Sequence, residues 1–314
     1  MFTSLKNLFK TVAGKRPPWA QYRIQVLGSW ADKREVFESI KRQTKDGRGR
    51  WENLQFTFKE NDIDYYLAIN SPRLHSGVMQ KHDPARTLVW IVEHNDAAWR
   101  RDNGYDEFYN NPSYLKTIDH RDRINWGQFH IHATYSDLIS KQIPKTMDLS
   151  TVTSSIALYP LQKKRIGFLK FLENKDLSFS NNGLHHYGHA NKDDFKYYKG
   201  PLPPQNKDAG LSPYKYHIAF ESNQETNYIT EKLFDAILCE CLVFYCGCPN
   251  LADWIDPKAV IQLDPDNYEL SYQRIKKAVE NNEWGKRLPF IKKEKEKILN
   301  RYNVFPAVKE ILEL

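Results

Sequence analysis

The sequence has no apolar run of about 18 residues, the length that a membrane-crossing helix needs, so no transmembrane segment is expected. It has no Gly-x-Gly-x-x-Gly and no phosphate-binding P-loop. Their absence removes the usual support for a nucleotide-dependent dehydrogenase or a nucleoside triphosphatase. No internal repeat is visible. Cysteine is confined to Cys239, Cys241, Cys246 and Cys248. Their C-x-C spacing is not that of a structural zinc knuckle, which uses C-x2-4-C. The intervening Leu242 to Tyr245 reads as a buried strand, so free, buried, cytosolic thiols and no metal are expected.

The N-terminus places Phe2, Leu5, Leu8, Phe9 and Val12 among Lys6, Lys10 and Lys15. It is too polar for a secretory core. It suits a helix packed on its own domain or lying weakly on a membrane surface. A cytoplasmic protein of bacterial or viral type, without a Golgi anchor, is the expectation, with weak membrane association possible.

What is present is enough to fold. Hydrophobic residues make up 40% and charged residues 27% of the 314, a globular rather than disordered balance. The net charge of +7 favours an anionic partner. It is not gathered in one arm: Lys292 to Lys297 reads KKEKEK, a solvated helix face. Aromatics, at 13%, serve sugar stacking and core packing equally well.

Hydrophobic patterning predicts strands at Tyr22 to Leu27, Asp62 to Ile69 and Thr87 to Val92, with a helix over Lys33 to Gln43. Asp102 to Trp126 reads as a long loop with short helical pieces, Phe129 to Thr134 as a strand and Ser136 to Lys141 as a short element. Asp148 to Ser155, rich in Ser and Thr, reads as a linker. Beyond it come a helix at Arg165 to Leu172, a short strand at Leu177 to Phe179, a His-rich turn and a loop at Pro201 to Pro213. Then follow a strand at Tyr216 to Glu221, a helix at Thr230 to Leu238, strands at Leu242 to Tyr245 and Ala259 to Leu263, and a helical tail. Strands separated by helices predict parallel α/β sheets.

The segment from Tyr214 to Asp264 carries the most chemistry. A strand ends at Glu221, a polar loop follows, and a helix begins at Thr230, whose hydroxyl can cap it. Helix N-termini attract anions, and Lys232 on the first turn can reach a phosphate. Loops at the carboxyl ends of parallel strands are where open α/β sheets bind ligands. Arg165, with Lys163 and Lys164 beside it, gives another helix a basic start. Glu93 ends an apolar strand between Trp90 and Trp99, where partial desolvation would raise its pKa toward that of a useful base. His94 and Asp96 are alternatives in the same loop. His185, His186 and His189 belong to a turn rather than a metal site.

The order Phe220-Glu221, six residues, then Tyr228-Ile-Thr-Glu231-Lys232 resembles the signature of the α-1,3-fucosyltransferase family, which is inverting and of GT-B architecture. Arg165, Phe168 and Leu172 are similar to that family's R-x-x-F-x-x-x-L. The resemblance implies that Lys232 and Arg165 bind the donor diphosphate, Glu231 the sugar hydroxyls and Tyr228 the nucleotide-sugar face, with Glu221, Ser222 and Asn223 around them. It implies Glu93 as catalytic base. The family usually has Asn directly after the Glu; here Ser222 precedes Asn223, which motivates a different nucleotide sugar as the alternative donor. A non-catalytic carbohydrate- or nucleic-acid-binding protein of the same fold is a further alternative.

Two Rossmann-like lobes facing across a cleft are therefore expected. Residues 1–150 would bind the acceptor and 151–290 the nucleotide sugar, with a C-terminal helix over 291–314 packing back on the first lobe. The reaction implied is transfer of L-fucose from GDP-fucose to a glycan hydroxyl. It needs no cofactor beyond the donor, and its partners are a nucleotide sugar and a glycan, with no nucleic acid.

Overall fold

Tyr22–Gly28 forms β1, buried along almost its whole length because both faces of a parallel sheet are covered. Asp32 caps the helix that follows, α1 (Lys33–Lys41), by accepting from the backbone of Arg34 and Glu35. β2 (Arg50–Trp51) and β3 (Leu54–Thr57) make a hairpin, and β4 (Tyr65–Ile69), β5 (Thr87–Trp90), α2 (Ala98–Asp102) and β6 (Lys116–Ile118) complete this half. The computed structural model describes residues 16–124, 129–190, 194–203 and 206–314. The lysine-rich start read above as an amphipathic helix lies outside the described residues.

The chain divides into two compact units, one running up to Asp122 and including Val308–Leu314, the other Arg123–Ala307. In the first, the strand order is β2-β3-β1-β4-β5-β6, parallel except for the hairpin. Leu27, Ala68, Val89, Ile91, Tyr105 and Phe108 form a core cluster here. The sheet order reverses between β1 and β4, so their carboxyl ends, at Gly28 and Ile69, flank a crevice of the kind that takes ligands.

The second unit holds α3 (Tyr135–Ser140), β7 (Met147–Val152), α4 (Pro160–Leu172), β8 (Leu184–Tyr187), β9 (Tyr198–Gly200) and α5 (Asp208–Leu211). After these come β10 (Tyr214–Phe220), α6 (Glu231–Leu238), β11 (Leu242–Cys246), β12 (Val260–Gln262), α7 (Tyr268–Glu280) and α8 (Glu283–Lys297). A π-helical turn at Ile298–Tyr302 leads into α9 (Val304–Ile311). The sheet order is β12-β11-β10-β7-β8-β9, all parallel, the doubly wound Rossmann order with its switch between β7 and β10.

Several expectations are overturned, each for a local reason. The Ser/Thr stretch is not a linker but the central strand β7. Its hydroxyls are absorbed: Ser150 donates to the Gly210 carbonyl at 2.7 Å and Thr151 to that of Ile218 at 2.9 Å, so both sit buried without cost. Phe129 to Thr134 is not a strand. The amides of His130 and His132 donate to the carboxylates of Asp235 and Asp208 instead of to a ladder. Leu177 to Phe179 is a turn, and the strand is the His-rich segment after it, β8. The KKEKEK run is not wholly solvated: Glu294 and Lys295 are buried, and Lys295 pairs with Glu240 at 2.8 Å. Among the described residues no helix is long and apolar enough to cross a membrane.

Candidate active site

At the switch point of the second sheet, Val152 ends β7 and Ala219 and Phe220 end β10. These residues line a small pocket together with Lys207, Lys232 and Asp235. The cavity lies where the sheet topology and the first turn of α6 meet, and at about 10 Å³ it has room for no more than a water.

Glu221 does not reach outward. It is fully buried, and its carboxylate accepts from the Thr230 amide at 2.9 Å, the Thr230 hydroxyl at 2.6 Å and the Tyr245 hydroxyl at 3.3 Å. Burial pushes its pKa up, and the nearby charge of Lys232 opposes that. Glu221 thus clamps the residue that caps α6, tying the end of β10 to the start of the helix. Gly247 lies against this clamp: a Cβ there would stand 2.4 Å from Glu221 Cγ and 2.5 Å from the Tyr245 hydroxyl.

Glu231 and Lys232 open α6, and both remain partly accessible. Lys232 Nζ lies 3.3 Å from Glu231 Oε1, 3.2 Å from Thr230 Oγ1 and 3.7 Å from Glu221 Oε2. Lys207 Nζ lies 3.4 Å from the same Glu231 oxygen and 3.1 Å from Asp235 Oδ2. Burial works to raise the Glu231 pKa, but Lys232, Lys207 and His130 hold the carboxyl well below its usual range. Asp235 is the converse: fully buried, it is pushed up to about 6 by desolvation despite Lys207. For both lysines burial favours the neutral form, and the surrounding carboxylates override it and raise the pKa. Two permanent cations thus face one pocket.

Arg165, on α4, is a further cation at this sheet edge, outside the residues that line the pocket. It is 5% exposed, and its Nη2 donates to the carbonyls of Ser154 at 3.1 Å and Ile156 at 2.9 Å, in the loop leaving β7. Its Nε is buried without a hydrogen-bond partner. Desolvation lowers its pKa to about 10, which leaves it charged at neutral pH. Its charge also bears on Lys232. The structure thus brings Arg165, Lys232 and Glu231 to the same strand ends.

The other sequence candidates fall around this centre. Ser222 and Asn223 lie half-buried in the loop after β10, where Asn223 donates to Glu225 at 2.7 Å. Tyr228 is 3% exposed, so its ring is largely covered. Asn227, in the left-handed region at φ 62°, exchanges hydrogen bonds of 2.8 Å with Asn250 and accepts from Trp254 Nε1 at 2.9 Å.

Glu93 belongs to the first unit, three residues beyond β5 and half-buried. Arg100 Nη1 donates to its carbonyl at 3.2 Å. Of its expected aromatic neighbours, Trp90 is fully buried and Trp99 is 60% exposed. His94 is buried and Asp96 exposed.

Lys207, Asp235 and His130 were not singled out by the sequence. Lys207 stands in a proline-rich loop with no periodicity, and Asp235 looks like a polar position on an amphipathic helix. The four cysteines are free, buried thiols with individual partners, among them the Leu211 and Tyr214 carbonyls for Cys241 and Asn250 for Cys248. His185 and His186 are engaged with Tyr214 and with the Thr153 carbonyl. Among the described residues no three His, Cys, Asp or Glu side chains are grouped to hold a metal ion.

Comparison with known proteins adds to this geometry. Residues 152–295 match the family described as glycosyltransferase family 10 (fucosyltransferase) C-term. The alpha-(1,3)-fucosyltransferase FucT of Helicobacter pylori is 34% identical over 73 residues, 23% of this chain and 15% of that protein. GDP-fucose protein O-fucosyltransferase 3 of Danio rerio is 26% identical over 120 residues, 35% of this chain and 26% of that protein. The matched stretches thus span about a quarter or less of those relatives' length. Among solved structures, the DNA modifying enzyme beta-glucosyltransferase superposes with a TM-score of 0.51 at 12% identity, covering 93% of this chain and 100% of that one. At that identity the likeness concerns the fold, an α/β architecture of GT-B type.

Proposed function

We propose, from the match of residues 152–295 to the glycosyltransferase family 10 (fucosyltransferase) C-term model, that the protein transfers L-fucose from GDP-fucose to a glycan hydroxyl with inversion. The observation that carries the reading is the convergence of Lys207, Lys232 and Arg165 on the carboxyl edge of the second sheet, at its switch point. A nucleoside diphosphate is the ligand that such an edge and three cations suit. Both curated relatives are fucosyltransferases by name, which favours a fucosyl donor.

In this reading the second unit binds the donor and the first the acceptor. Glu93 takes the proton of the acceptor hydroxyl, whose oxygen attacks the anomeric carbon on the face opposite the leaving group. The bond from that carbon to the diphosphate breaks, and GDP leaves with the electron pair. Lys232, Lys207 and Arg165 stabilise the charge that develops on the diphosphate. Glu231, held ionised, is suited to accept hydrogen bonds from the sugar hydroxyls. Glu221 acts through Thr230, by fixing the first turn of α6. Ser222, Asn223 and Tyr228 shape the loop that borders the donor.

Thermal unfolding with a panel of nucleotides and nucleotide sugars tests the proposal. A donor at 100 times its dissociation constant adds about 2.7 kcal/mol of stability. GDP and GDP-fucose are expected to stabilise the protein, and UDP-sugars are not. Stabilisation by a UDP-sugar alone would replace the donor; no effect from any nucleotide would defeat the reading.

A further inference from the structure

The crevice at the switch point of the first sheet carries its own cluster, which the donor site does not use. Ser29 follows β1 and is buried; its hydroxyl is 2.8 Å from that of Tyr105, also buried. The His75 amide donates to the Ser29 carbonyl at 2.8 Å, and His75 Nε2 is 2.8 Å from the Tyr105 hydroxyl. This pins an exposed imidazole at both ends. Trp99 lies against it, with ring centroids 4.9 Å apart and planes 17° apart, and Tyr105 continues the stack at 6.4 Å and 24°.

Trp99 nevertheless stays 60% exposed, a large flat apolar surface held in place rather than buried. Its helix α2 is anchored by the neighbouring Arg100. That side chain is 1% exposed and donates to Asp119 and Asp106, each at 2.8 Å, and to the Glu93 carbonyl at 3.2 Å. One buried arginine therefore holds both the indole's helix and the backbone of Glu93. The Glu93 charge also bears on the Tyr105 hydroxyl.

We propose that the Trp99–His75 stack, set beside Glu93 at the carboxyl edge of the first sheet, is the platform on which a hexopyranose ring of the acceptor glycan docks by its C–H face. The inference rests on the glycosyl-transfer reading above and adds to it the place and chemistry of acceptor recognition. A rigid indole offers area at little entropic cost, which suits an uncharged ring with hydroxyls on its edge. Of the cations near this cluster, Arg73 is already paired with Glu107 at 2.8 Å and lies over Phe108, Arg100 is buried on Asp119 and Asp106, and Arg101 donates to the Asp96 carbonyl at 2.8 Å. A phosphate therefore has less to gain here than at the lysines of the second unit, and a sugar is the better fit.

Saturation-transfer NMR on the full chain tests the platform. The probe is methyl β-D-galactopyranoside, whose H3, H4 and H5 lie on one face, with guanosine as the competing planar ligand. Wild-type protein is expected to saturate those three protons. Trp99→Ala is expected to lose most of the signal, and Trp99→Phe to keep part of it. His75→Ala should weaken it and His75→Phe, which restores a ring to stack on, should recover it. GDP affinity, measured in parallel, should be the same in all variants. Equal sugar signals in wild type and Trp99→Ala, no sugar signal in wild type, or a Trp99-dependent signal from guanosine instead would each overturn the platform. With GDP binding intact, those results leave the donor reading standing; loss of GDP binding in wild type removes that reading itself.

Discussion

The ammonium groups of Lys207 and Lys232 converge on one oxygen, Oε1 of Glu231, at 3.4 and 3.3 Å. One lysine comes from a loop before β10 and the other from the first turn of α6, so the pair exists only in the folded unit. Removing either ammonium should weaken GDP binding by roughly 10- to 100-fold, the scale of a hydrogen bond to a charged group. Glu231→Gln should leave GDP affinity within about threefold, since both cations remain, while kcat/KM for the complete donor falls. Calorimetry with GDP and steady-state kinetics separate the two effects. Unchanged GDP binding in both Lys232→Ala and Lys207→Ala would remove the diphosphate from this edge.

Glu93→Gln should preserve folding and GDP affinity, because Glu93 lies in the first unit and its volume barely changes. Turnover should drop by roughly 10²–10⁴-fold, the usual scale for losing a general base. The acidic limb of the wild-type rate profile should report an ionisation that the variant lacks. Asp96→Asn and His94→Ala serve as controls. If one of them abolishes turnover while Glu93→Gln does not, the base is the neighbour.

Gly247→Ala tests the clamp under α6. A Cβ at this position meets Glu221 Cγ at 2.4 Å and the Tyr245 hydroxyl at 2.5 Å, in a fully buried setting. Overpacking of this kind costs about 1–3 kcal/mol. Urea unfolding should show that loss, and GDP should bind more weakly because Thr230 and the first turn of α6 are displaced. A variant as stable as wild type would mean that the clamp yields freely.

How much of this was readable beforehand depended on whether a residue's role is local. The strands β1, β4, β10 and β11 and the helix α6 announce themselves through apolar runs and a capping Thr230, so the switch-point edge could be placed from sequence. β7 could not, because Ser150 and Thr151 look like loop residues until Gly210 and Ile218 are seen to accept from them. Lys207 and Asp235 were missed for the same reason: 28 residues separate them in the chain, and only the fold makes them a pair. Glu221 was legible as important but not as buried, since a motif names a residue without saying which way it points.

His217 gives a pH signature. It sits in β10 against Ser150, 2.9 Å from its hydroxyl. Burial, aided by Lys207 and Lys145, lowers its pKa from 6.5 to about 3. The unfolded chain therefore binds a proton below pH 6.5 that the folded chain refuses until about pH 3. Stability from this group is complete above 6.5 and is lost as the pH falls. Between pH 6.5 and 4.5 the loss is about 2 kcal/mol, the slope reaching its full 1.36 kcal/mol per pH unit only below the unfolded pKa. Urea unfolding of wild type and His217→Gln at the two pH values should show it; Asp235, present in both proteins, cancels. Parallel pH dependences would show that His217 protonates freely in the folded state.

The loop bearing Asn227 has a kinetic consequence. Its left-handed turn is fastened to Asn250 and Trp254 by three hydrogen bonds within the protein itself. A segment ordered in advance surrenders little chain entropy when a guest arrives. Association of the nucleotide should then run as a single exponential whose rate climbs in proportion to concentration, with no plateau from a slow rearrangement. Cutting the fastening, as in Asn250→Ala, should introduce that plateau, turning a rigid receptor into one that must first find its shape.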